Sequence, residues 1–124
     1  MTTVNLTFDD FESAITDNEV VLVDFWAPWC GPCRAFAPVY DKSAQAHPDV
    51  VHAKINTEAE QELAAALQIR SIPTIMAFRE GILVYSRPGA MPPQVLAELI
   101  TKVKALDMAE VRATIAARKA EAHA

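Results

Sequence analysis

A chain of 124 residues, 52% of them hydrophobic, has enough apolar side chain to fill one core without metal or multiple disulfides. Its net charge of −5, with no block of lysine or arginine, excludes the basic footprint of a nucleic-acid-binding protein. No stretch reaches membrane-spanning length, and the acidic start MTTVNLTFDDFESA lacks the pattern of a secretory leader. The expectation is a cytoplasmic monomer with no membrane or nucleic-acid partner, in a reducing compartment where a structural disulfide is rarely kept.

Val4–Leu6 predicts a short edge strand, followed by Thr7 as N-cap of a helix on which Phe8, Phe11 and Ile15 share a face. VVLVDFW, residues 20–26, is apolar at both alternating sets of positions and predicts a mid-sheet strand covered on both faces. The motif WAPWCGPC leads directly into a helix expected over residues 31–46, with Pro32 tolerated in its first turn and Pro38 expected to kink it. Residues 50–56, VVHAKIN, predict a further strand, and TEAEQELAAALQI a helix with Thr57 as its N-cap.

TIMAFRE and ILVYSRP are separated only by Gly81 and its neighbour, a spacing that demands an antiparallel hairpin. A helix begins at Pro92 or Pro93, with Val95, Leu96, Leu99, Ile100 and Val103 assigned to its inner face. The fold class is therefore α/β, with a central mixed sheet flanked by helices on both faces. Beyond residue 106 the pattern changes. Residues 107–124 read as an extra C-terminal helix, with a capping-box variant at Asp107 and Glu110 and with Met108, Val111 and Ile115 on one face. That stripe fits docking onto the domain or a second copy, and a solvated helix fits equally well.

The only two cysteines, Cys30 and Cys33, stand three positions apart where the helix begins. That spacing brings their α-carbons to roughly 5 Å, inside the disulfide window, yet so small a loop restrains little of the unfolded chain. The pair therefore points to chemistry. The unpaired N–H groups and positive dipole end of the helix favour a Cys30 thiolate, the attacking form, leaving Cys33 as the better-shielded resolving thiol. Asp24 lies within the most apolar strand, where desolvation raises a carboxylate's pKa toward neutrality. An isolated strand-end aspartate is more often satisfied by backbone donors, but beside a C-x-x-C helix the assignment becomes a proton carrier for Cys33. Two cysteines also supply half of a zinc site, but His47, His52 and His123 have no metal-ligand spacing and are expected at the surface or a strand edge.

VDFWAPWCGPC, then RSIPT about forty residues later, then Gly89, closely resemble the thioredoxin family over roughly residues 3–105. The resemblance implies a thioredoxin fold, a cis bond before Pro73 and protein-disulfide reductase activity. It matches Cys30, Cys33 and Asp24 to the roles above and Lys54 to a lysine that moderates the buried carboxylate. It assigns Trp29, Gly31, Pro32, Ile72, Pro73, Gly89 and Ala90 to an apolar target-binding surface, with Trp26 packing behind. It also implies no bound cofactor, electrons from NADPH through thioredoxin reductase, and disulfide-containing target proteins. The rival reading is a binding module that works through its apolar surface or tail.

Overall fold

The computed structural model describes residues 3–122, which form β1 (Thr3–Asn5), α1 (Phe8–Thr16), β2 (Val20–Trp26), α2 (Gly31–Ala46), β3 (Val51–Asn56), α3 (Gln61–Ala66), β4 (Thr74–Arg79), β5 (Ile82–Pro88), α4 (Pro93–Ala105) and α5 (Met108–Ala122). The sheet order is β1-β3-β2-β4-β5, so the most apolar strand is the central one. It pairs in parallel with β3 and antiparallel with β4, giving the mixed sheet that the sequence predicts.

Alternation along β2 divides the core. Val20 and Leu22 pack with Phe36 and Tyr40 of α2 and with Leu96 and Ile100 of α4. Val21, Val23 and Phe25 face the opposite way, toward Ile15 of α1 and Leu63 of α3. Each such side chain removed from water contributes about 1.5–3 kcal/mol, so β2 anchors both layers. The β4–β5 hairpin turns through Glu80 and Gly81 at φ 52° and 80°, the double left-handed conformation that suits glycine in a two-residue turn.

Several local expectations are corrected. The first strand starts one residue earlier, because Thr3 pairs with His52, and it ends at Asn5. Thr7 does precede α1, and the Asp10 carboxylate accepts from its backbone N–H at 2.6 Å. Thr57 does not cap α3. Its N–H and hydroxyl both donate to the Trp26 carbonyl, Asn56 Oδ1 accepts from the Glu58 N–H, and the helix starts four residues later at Gln61. Val95 is 44% exposed rather than internal, whereas Leu96, Leu99, Ile100 and Val103 are buried as expected. Pro38 lies inside helix α2, where its missing N–H leaves one helical hydrogen bond unmade.

The far end of the sheet is held by a residue that no sequence motif singles out. Arg79 Nη1 donates to the carbonyls of Val103 and Lys104 at 2.8 and 2.9 Å, satisfying the C-terminus of α4. Its Nη2 lies 3.3 Å from Glu19 and 3.7 Å from Glu80, and Glu80 in turn pairs with Arg112 of α5. Asp107 Oδ1 accepts from the Glu110 N–H at 3.2 Å, supplying one half of the capping box. Met108 is buried, and Val111 and Ile115, both half-buried, line a shallow depression shared with Ile82, Leu83 and Val84 of β5.

Candidate active site

Cys30 is the N-cap of α2, and its Sγ accepts the Cys33 backbone N–H at 3.2 Å. Pro32 stands in the first turn, where its missing N–H leaves no helical bond unmade. Cys30 and Cys33 form a disulfide with α-carbons 5.2 Å apart, packed against Ala27, Trp26 and Ile72. The two residues are 4% and 3% exposed, which corrects the expectation that shielding distinguishes them. What separates them is the helix terminus: Cys30 Sγ receives an N–H, and a thiolate there gains that bond and the positive dipole end.

The Ile72–Pro73 bond is cis, as the resemblance implied. The Ile72 carbonyl oxygen lies 3.8 Å from Cys30 Sγ. The Gly89 N–H donates to the Pro73 carbonyl at 2.7 Å, with Gly89 at φ +105°, a conformation open to glycine and strained for other residues. Thr74 pairs with Pro88 across the hairpin, so the 72–73 and 89–90 segments lie side by side. Trp29 is 66% exposed, Gly31, Pro32, Gly89 and Ala90 are exposed, and Ile72 is half-buried. Pro73 is buried, next to Ile72 in the cis bond.

Asp24 shares the face of β2 that carries Val20 and Leu22, the face covered by α2. It is 1% exposed, and neither carboxyl oxygen has a hydrogen-bond partner among the described residues. Burial pushes its pKa from 3.8 up to about 7, the Lys54 ammonium pulling it part of the way down and the Asp41 carboxylate adding a smaller push upward. Lys54 is the register partner of Asp24 on β3, and its Nζ stands 4.9 Å from the centre of the Trp26 ring, which therefore packs behind the site as expected.

Two residues of this layer were missed. Tyr40 is fully buried, and its hydroxyl donates to the Ala53 carbonyl at 2.8 Å. His52 is fully buried too, against the expectation of a surface or strand-edge position. Its Nδ1 is 3.0 Å from the Val50 carbonyl and its Nε2 2.9 Å from Ser43 Oγ, which fixes the neutral ring with Nδ1 as donor and the serine hydroxyl donating to Nε2. The signal available in the sequence was alternation: His52 lies two residues before Lys54 and so shares its face. His47 is the C-cap of α2, and His123 lies outside the described residues.

A thioredoxin family model matches residues 2–102. A protein named putative thioredoxin 2 from Streptomyces coelicolor is 52% identical over 120 residues, covering 97% of this chain and 90% of its own, so the likeness runs on into the C-terminal segment. Thioredoxin 1 of Synechococcus elongatus is 46% identical over 94 residues, covering 74% of this chain and 88% of its own. Among solved structures, a mutant thioredoxin from Halobacterium salinarum superposes with a TM-score of 0.78 at 33% identity, covering 84% of this chain and 92% of that one. Plasmodium falciparum thioredoxin superposes with a TM-score of 0.75 at 34% identity, covering 81% and 98%. With a C-x-x-C disulfide at a helix N-terminus, a cis-proline segment beside it and a buried carboxylate behind it, the chain belongs to the thioredoxin family and is a protein-disulfide reductase.

Proposed function

We propose that Cys30 is the attacking thiol, Cys33 the resolving thiol and Asp24 the group that takes the Cys33 proton. The Cys30 thiolate attacks one sulfur of a target disulfide, and the displaced target thiolate takes up a proton. Cys33 then passes its proton to the Asp24 carboxylate and attacks Cys30 Sγ, releasing the second target thiolate and closing the Cys30–Cys33 disulfide. Two electrons move from the protein's dithiol to the target, and the electrons reside on the two sulfurs without a bound cofactor. The observation that carries this assignment is the Cys30 sulfur acting as the cap of its own helix.

Lys54 moderates the Asp24 charge, and Trp29, Gly31, Pro32, Ile72, Gly89 and Ala90 receive an extended target segment. The oxidised protein is returned to the dithiol by a thioredoxin reductase drawing on NADPH. It works as a cytoplasmic monomer, residues 1–106 forming the catalytic domain and 107–124 an appended helix. The test is reduction of insulin disulfides with NADPH and thioredoxin reductase, run beside a dithiothreitol-driven reaction. Turnover in both is expected. Turnover with dithiothreitol alone would leave the exchange chemistry standing and overturn the proposed electron source.

A further inference from the structure

Three segments converge on the disulfide: residues 26–34, 70–74 and 87–90. Each carries one exposed arginine, Arg34, Arg70 or Arg87, and none carries a carboxylate, in a chain whose net charge is −5. Arg34 follows Cys33 directly, and its Nη1 donates to the Pro28 carbonyl at 2.9 Å, which lays the guanidinium back over the loop bearing Trp29 and Cys30. Arg70 precedes by two residues Ile72, whose carbonyl oxygen is the one 3.8 Å from Cys30 Sγ. Arg87 pairs with Ile75 across the hairpin and precedes Gly89 by two residues.

Among the described residues, none of these three arginines has a carboxylate within 4.0 Å, whereas Arg79, Lys104 and Arg112 are all ion-paired away from the site. Of the acidic residues at this end of the sheet, Asp24 is buried on β2, and Glu98 of α4 lines the groove that Arg87 also lines without coming within 4.0 Å of it. Asp9 and Asp10 open α1, and Glu60 accepts the Phe8 N–H from the loop that follows β3. The segments around the sulfurs thus carry three arginines that no carboxylate neutralises among the described residues.

We propose that Arg34, Arg70 and Arg87 are specificity-determining residues that select target disulfides whose cysteines are flanked by aspartate or glutamate. The inference rests on the exchange reading of the same site. The three arginines stand on the segments that meet at the disulfide, where the target sulfur must arrive, and charges of one sign raise the encounter rate of an opposite partner. The effect fades as the Debye length shrinks from about 10 Å at 0.1 M salt to about 3 Å at 1 M.

The test uses two disulfide-closed peptides identical except for aspartate or lysine beside each cysteine, with the full-length dithiol protein reacted in single turnover. At about 10 mM ionic strength the aspartate peptide should react about fivefold faster or more, and the ratio should fall below about twofold near 1 M. A combined Arg34→Gln, Arg70→Gln, Arg87→Gln variant should bring the low-salt ratio near one; because the ratio is taken within each protein, a general loss of activity does not move it. Equal rates on the two peptides by the unsubstituted protein would overturn the charge proposal and leave the Cys30–Cys33 exchange intact. Failure to reduce either peptide would overturn both.

Discussion

Near pH 3 the Asp24 carboxyl is protonated in folded and unfolded chains alike. Between its ordinary value of 3.8 and the folded value of about 7 only the folded chain keeps the proton, so raising the pH through that window removes stability, and the full penalty stands above it. Asp24→Asn is therefore expected to stabilise the protein by about 2–4 kcal/mol near pH 8 and by almost nothing near pH 3, measured by urea unfolding. The same variant should slow thiol exchange most near neutral pH, where Asp24 changes charge, and an unchanged pH profile would make it a structural residue only. His52 runs in the opposite direction. Burial holds its pKa below 6.5, so its contribution is present above that value and is lost as pH falls through the depressed one. At the sulfurs, Cys30→Ser should abolish turnover, while Cys33→Ser should accumulate the mixed disulfide with a target, visible as a reducible adduct on a gel. A Cys33→Ser protein that turned over normally would reverse the assigned roles.

Helix α4 ends on a side chain from the sheet rather than on a glycine. Arg79→Gln removes charged hydrogen bonds to two carbonyls and should cost about 2 kcal/mol, lowering the thermal midpoint by about 8 °C. Deleting residues 107–124 removes buried Met108 and the Arg112–Glu80 pair, so the midpoint should fall by several degrees while dithiothreitol-driven insulin reduction stays unchanged. An unchanged midpoint would show that α5 contributes nothing by lying beside β5. Elements with a strong period were legible in the sequence: the two-sided apolar run of β2, the hairpin fixed by Gly81, and the Leu96-Leu99-Ile100-Val103 face of α4. The start of α3 was not, because Thr57 looks like a cap until the Trp26 carbonyl, thirty-one residues away in sequence, takes both of its donors. Arg79 was hidden for the same reason: its partners lie twenty-four and twenty-five residues away. The chemistry was easier to read than the supports, because Asp24 and the cysteines are conspicuous by residue type, whereas Tyr40 and His52 matter through the layer they fill.

Across the whole molecule, the seven residues of β2 separate two ends by about 20 Å. One end carries the disulfide, the cis-proline segment and the segments bearing Arg34, Arg70 and Arg87. At the other, Val20 faces Arg79, the Glu80 N–H donates to the Glu19 carbonyl at 2.8 Å, and α4 hands over to α5. The intact chain is expected to have a single-chain mass by light scattering in both redox states, and a mass that doubled on oxidation would reveal pairing through the reactive surface. The distance between the ends has a practical meaning for attachment. A chain coupled to a bead or an electrode through the Arg112 face of α5 would hold its sulfurs toward the solution, so the clasp at the base of the sheet is also the natural handle by which to immobilise a working catalyst.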